Sequence, residues 1–165
     1  MASYFAAGTT TPITPVVAPP TTAAQFVLWN GEGTGGKNYY VTSIGSSTIV
    51  TAGAALIIQA WAHLGSAVLM PSVTVAKGPS RAGRAEALTH AQIGTAGTIV
   101  NNSVWHPVGE SVNAGAATAT VALGTWANVN GIYVIPPGGL LSLAVVCSAA
   151  GGSVTCNLYV TWYEE

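Results

Sequence analysis

From Gln25 onward, short runs rich in Val, Ile, Thr, Tyr and Trp recur along the chain, broken every ten residues or so by Gly, Asn or Pro. β-Branched and aromatic runs with such punctuation predict many short antiparallel strands, the pattern of sandwiches and barrels. The strands expected are Ala24–Trp29, Asn38–Ile44, Leu56–Leu64, Val68–Lys77, Ala87–Ile93, Thr98–Trp105, Ala117–Leu123, Gly131–Val134, Leu140–Cys147 and Val154–Tyr163. The Ala and Leu content of residues 54–64 would also suit a helix. Alternation of Leu56, Ile58, Ala60 and Ala62 with Ile57, Gln59, Trp61 and His63 leaves no polar helical face, so a strand is expected there.

The C-terminal third is the most legible part. Gly151-Gly152 can adopt the positive φ angles of a two-residue hairpin turn, and strand-like runs flank it. A hairpin there pairs Leu143 with Val160, Val145 with Leu158 and Cys147 with Cys156, the last at a position where opposed side chains approach closely. Leu141, Leu143, Val145 and Cys147 then share an apolar face with Val154, Cys156, Leu158, Val160 and Trp162. The other face carries Ser142, Ser148, Thr155, Asn157, Thr161, Tyr159 and Tyr163. A slip of one residue would invert both sets. Two cysteines are too few for a structural zinc site and do not form a C-x-x-C motif. Cys147 and Cys156 are therefore either buried thiols behaving as small hydrophobes or a cross-strand disulfide, whose short loop would add only about 2–3 kcal/mol.

Residues 1–23 read differently. Pro12, Pro15, Pro19 and Pro20 sit among Thr, Ala and Val. Proline lacks an amide donor and favours extended backbone, so the segment is expected to stay out of a central sheet, as a tail or an arm. As an arm lying on a neighbouring subunit it would anchor through Tyr4, Phe5, Ile13, Val16 and Val17. Residues 24–165 then form the sandwich domain.

Charge narrows the function. The chain has 165 residues, and only four are Lys or Arg and five Glu, with net charge −1. At 5% the charged fraction is far below the roughly 25% of ordinary soluble domains. Nothing here offers the clustered cations that nucleic acid requires. The apolar half of the composition invites a membrane reading, but the longest apolar runs, 52–62 and 140–150, are about half the roughly 20 residues a spanning helix needs. The N-terminus has no positive segment followed by a sustained apolar one, so no secretory signal is expected.

Candidate chemistry is sparse. The acids are Glu32, Glu86, Glu110, Glu164 and Glu165, a thin pool for paired-carboxylate catalysis. His63, His90 and His106 match no zinc spacing and are accompanied by no G-x-S-x-G elbow. The glycine-rich stretch Asn30 to Lys37 lacks the ending of a phosphate loop and precedes β-type sequence. Neither enzymatic activity nor a metal or cofactor is expected. Three of the four cations, Lys77, Arg81 and Arg84, lie on one Gly/Pro loop, which is either a solvated connection or a contact with an acidic partner surface. Trp29, Trp61, Trp105, Trp126 and Trp162 suit core or subunit packing, although aromatic rings could also line a sugar-binding face.

Residues 129–143, VNGIYVIPPGGLLSL, together with the Gly-Gly pair and the ending LYVTWY at 158–163, resemble the final strands of jelly-roll subunits in capsid decoration, or cement, proteins of tailed bacteriophages. The resemblance is strong over about 40 residues and one of style over 25–128. It implies an antiparallel, jelly-roll-like β-sandwich with an extended N-terminal arm, a homotrimer on the outer surface of the virion that grips the major capsid protein, made in the host cytoplasm. By that analogy residues 1–23 are the arm, and the basic loop a second contact. The alternative is a receptor- or glycan-binding module of a phage fibre or tail.

Overall fold

A computed structural model describes residues 3–50, 56–66, 77–79, 89–94, 104–113, 121–148 and 154–165. Its strands are β1 (Ser3–Gly8), β2 (Phe26–Asn30), β3 (Tyr39–Val50), β4 (Leu56–Ser66), β5 (Lys77–Pro79), β6 (Ala91–Gly94), β7 (His106–Asn113), β8 (Val121–Asn128), β9 (Val134–Ile135), β10 (Gly139–Cys147) and β11 (Val154–Glu164). They form two antiparallel sheets packed into a sandwich. Sheet A runs β5-β1-β11-β3-β8, with β9 also on β3, and sheet B runs β6-β2-β10-β4-β7.

The apolar alternation of the last two strands builds the core. Leu141, Leu143, Val145 and Cys147 point inward from sheet B, and Val154, Cys156, Leu158, Val160 and Trp162 point inward from sheet A. These are the residues expected to share an apolar environment, but the hairpin expected to unite them does not form. β10 pairs with β2 and β4, and β11 pairs with β1 and β3. Cys147 thus lies opposite Ile58 and Cys156 opposite Thr48. The two strands face one another across the sandwich, and both cysteines are free, buried thiols. The physical reason lies in β10 itself. Leu140, Ser142 and Ala144, on its outward side, are buried as well, so the strand needs cover on both faces and a neighbour on both edges.

The N-terminal segment also departs from the expected arm. Ser3–Gly8 is a sheet strand between β5 and β11, pairing Tyr4 with Tyr163 and Phe5 with Trp162. All four prolines of the segment follow it, so none removes a donor from its ladder. The chain then continues as a strap. The Thr9 amide donates to Leu158 O, and Ile13 and Cys156 exchange backbone hydrogen bonds at 2.7 and 2.8 Å. Crossing to the other sheet, the Val16 amide donates to Val145 O and its carbonyl accepts from the Cys147 amide. Further along, Pro20 O accepts from Trp105 Nε1 at 3.1 Å. Ala24, Val27 and Leu140, packed with Trp29 and Trp105, make a small second apolar cluster on the outer side of sheet B.

Two strands differ from the sequence expectation. β3 runs on to Val50 through Gly45, well past Ile44. β7 is not among the expected strands; it is the edge strand of sheet B, the position within a sheet at which a proline such as Pro107 is tolerated. Of the expected strands Val68–Lys77 and Thr98–Trp105, residues 68–76 and 98–103 lie outside the described residues.

Two turns and one buried amide fix the end of the sandwich below β9. Asn130 and Gly131 have φ of 41° and 78°, and the Ile132 amide closes the turn on Val129 O at 2.8 Å. In the Pro136-Pro137-Gly138-Gly139 turn, Gly138 has φ of 77° and the Gly139 amide donates to Pro136 O. Buried Asn30 donates through Nδ2 to Lys37 O and Ile135 O, both at 2.8 Å, and accepts from the Glu32 amide through Oδ1 at 3.0 Å. One side chain thereby ties β2, the glycine-rich loop and β9 together.

Candidate functional site: the outward face of sheet A

Antiparallel register sorts the outward side chains of sheet A into rows that cross β1, β11, β3 and β8. Tyr4, Tyr163, Tyr40 and Val134 of β9 form the first row. Ala6, Thr161, Ser43 and Asn128 form the second, Gly8, Tyr159, Gly45 and Trp126 the third, and Asn157, Ser47 and Gly124 the fourth. Aromatic rows thus alternate with rows of hydroxyl, amide and glycine positions. None of these residues is charged. Glu165 lies beyond the end of β11, beside the first row.

Side-chain contacts hold the rows in place. Tyr40 and Tyr163 stack with ring centroids 4.9 Å apart and planes 10° from parallel, and Tyr4 tilts against Tyr163 at 5.6 Å. Burial by neighbours first, then the Glu165 carboxylate and the Tyr40 and Tyr4 phenols, raises the Tyr163 phenol above its ordinary value. At the irregularity in β3, both Thr42 and Ser43 place their hydroxyls on Thr161 Oγ1. Tyr159 and Trp126 lie 5.2 Å apart over Gly45, and Trp126 is 59% exposed. Ile132, beside this face on the turn before β9, is 78% exposed.

The residues singled out as contacts are dispersed. Tyr4 lies on the face just described. Phe5 is 2% exposed and stacks on Trp162 at 5.6 Å and 24°, so it is core and not an anchor for a neighbour. Ile13 and Val16 are held in the strap, and Val17 beside them is 60% exposed. Lys77 is in β5, opposite Ala7, and Arg81 and Arg84 lie outside the described residues. Burial, with Cys147 nearby, pushes the Cys156 thiol up to about 12, and its Sγ lies 3.5 Å from Ile13 O. That is an inert, protonated thiol at neutral pH.

Titratable groups gather at one end of sheet A. The Glu164 side chain is fully buried, accepts from Thr89 Oγ1 and from Trp162 Nε1 at 3.3 Å, and has Lys37 Nζ at 3.9 Å. Burial, and then the Glu164 carboxylate, raise the adjoining Tyr39 phenol. His90 Nδ1 is 3.1 Å from Glu32 Oε1, beside an open hollow of about 460 Å³ lined by Glu32, Gly33, Thr34, Gly35, Pro137 and Gly138. His63 is buried on the outer side of sheet B, 5.3 Å from the Trp105 ring. His106 is exposed, 6.4 Å from Tyr133. Among the described residues no three His, Cys, Asp or Glu side chains converge as a metal site would require.

Sequence reasoning found the β11 members of the face, Tyr159, Thr161 and Tyr163, singled out Tyr4 as a contact and Trp126 among the rings suited to core or subunit packing, and missed Tyr40 and Gly45. A glycine inside a β-rich run was the available signal, since such a glycine often marks close approach of another group. No protein-family model matches the chain, and no curated protein matches it.

Proposed function

We propose that this chain is a structural protein of a virus particle, a decoration or cement subunit that assembles with copies of itself and binds the outer surface of a tailed-phage head. In this reading it bridges neighbouring major capsid proteins as a homotrimer. The observation that carries it is the charge-free outward face of sheet A, since a broad uncharged surface with exposed aromatic and aliphatic groups is suited to being covered in an assembly. The likeness of residues 129–143 and 158–163 to decoration subunits supports the same reading, and the intermixing of early and late strands in both sheets supports a jelly-roll-like topology. Exposed Val17, half-buried Tyr4 and the basic residues Lys77, Arg81 and Arg84 are the groups offered to the capsid.

The glycan-binding alternative is served less well. Tyr40 and Tyr163 use their ring faces on each other, and Tyr159 uses one on Gly45, which leaves Trp126 as the ring most open to stack on a sugar. Co-sedimentation with phage heads stripped of decoration protein tests the proposal. Saturable binding in a fixed ratio to the major capsid protein is expected; protein left wholly in the supernatant overturns it.

A further inference from the structure

We infer that the open hollow between the glycine-rich loop and the Pro136–Gly139 turn receives an arginine side chain presented by another protein. The inference goes beyond the assembly reading above and does not rest on it. Four observations carry it.

The walls are fixed in advance. Asn30 holds the loop wall through the Glu32 amide and Lys37 O, and its own carbonyl accepts from the Gly138 amide of the turn wall at 2.9 Å. A site whose two sides hang on one buried residue loses little freedom when it is filled.

The space between the walls is left open. A Cβ built on Gly33, Gly35 or Gly138 would meet no atom within 4 Å. Positive φ angles of 80° and 77° account for glycine at Gly35 and Gly138, but Gly33 has neither a left-handed backbone nor a crowded neighbour to require it. A side chain there would take up space at the wall of the hollow.

Charge selects the ligand. Among the described residues that line the hollow, only Glu32 is ionisable. Its side chain is 13% exposed, His90 Nδ1 lies 3.1 Å from Oε1, and Oε2 has no hydrogen-bond partner among the described residues. Lys37, the cation of the loop, lies against Glu164 instead. A largely buried carboxylate with an oxygen to spare is completed by a cation. A guanidinium, planar and carrying donors only, also suits the Thr34 hydroxyl and the flat surfaces of the glycine peptides and Pro137.

The lining also decides how that group arrives. Its described residues include no cation to meet the carboxylate of a free amino acid, so the arginine comes within a polypeptide, where that carboxylate is an amide.

The test follows the backbone amides of Gly33, Gly35 and Gly138 by heteronuclear NMR as a capped Gly-Arg-Gly peptide is added to the full chain. Saturable shifts are expected, with free arginine and the uncharged citrulline peptide each binding at least about tenfold more weakly. Glu32→Gln should weaken peptide binding by a similar factor and Gly33→Leu should abolish it, both with unchanged circular dichroism. The inference is overturned by the absence of any shift up to the solubility of the peptide, by equal binding of the citrulline peptide or free arginine, or by wild-type binding in both variants. Should a variant fail to fold, the citrulline comparison on the wild-type chain decides alone. A methyl glycoside that shifts the same amides where the peptide does not overturns it in favour of a glycan site. Shifts on dilution of the protein alone, lost in Arg81→Gln or Arg84→Gln, overturn it by making another copy the donor.

Discussion

Tyr159 lies across Gly45 so closely that a Cβ built on the glycine would come within 2.0 Å of the tyrosine ring, with Trp126 at 2.8 Å on the other flank. An aromatic ring laid over a strand glycine replaces the packing that the missing side chain cannot supply. Gly45→Ala is therefore expected to destabilise by about 1–3 kcal/mol, as an overpacked site does. Denaturant midpoints for Gly45→Ala, Tyr159→Leu and the double variant should show the second substitution relieving the first; simple additivity would contradict the contact.

Phe5 fills the interior beside Trp162 from a strand near the start of the chain. Phe5→Ala should cost about 3–5 kcal/mol, and removal of residues 1–8 should abolish the cooperative thermal transition. A truncated chain that still melts sharply near the wild-type temperature would show β1 to be an accessory.

Asn30 serves three backbone groups at once, two carbonyls and an amide. Replacement by alanine leaves them short of partners inside the fold, at a cost of about 3 kcal/mol. Asn30→Asp should be no better, since a carboxylate presents acceptors to Lys37 O and Ile135 O. Urea unfolding of both variants checks this; a loss under 1 kcal/mol for either would count against the bolt.

Cys156 makes stability fall in alkali. Its folded value is raised from 9.0 to about 12 by burial and by Cys147, so between those pH values the unfolded chain has released a proton that the folded chain keeps. Stability is then fully present below about pH 9 and is lost as pH rises toward 12. Tyr39, also raised, adds to the loss from about pH 10 upward. Cys156→Ala should flatten the fall in unfolding free energy between pH 9 and 10. An unchanged slope would assign that fall elsewhere.

How far the sequence could be read is clearest at β10 and β11. Period-two alternation names the side of a strand that a residue faces, and Leu141 through Cys147 and Val154 through Trp162 are indeed interior. It does not name the neighbour. Gly151-Gly152 matched a tight turn, but the strands it separates belong to different sheets, a fact set by β2 and β4 claiming both edges of β10. As a single face it was legible only on β11, because Tyr4 and Trp126, though each singled out, and Tyr40 come from distant parts of the chain and meet through topology alone. At β1 the conspicuous prolines drew the whole segment into one expectation, although the first six strand residues precede them all.

The position of β11 between β1 and β3 bears on biosynthesis. While a ribosome is still short of residue 154, β1 and β3 have no rail between them, Phe5 lacks Trp162, and the strap lacks its Leu158 and Cys156 carbonyls. Sheet A closes only when its central strand emerges after all of its neighbours. A chain cut short before residue 154 would present open sheet edges to chaperones and proteases.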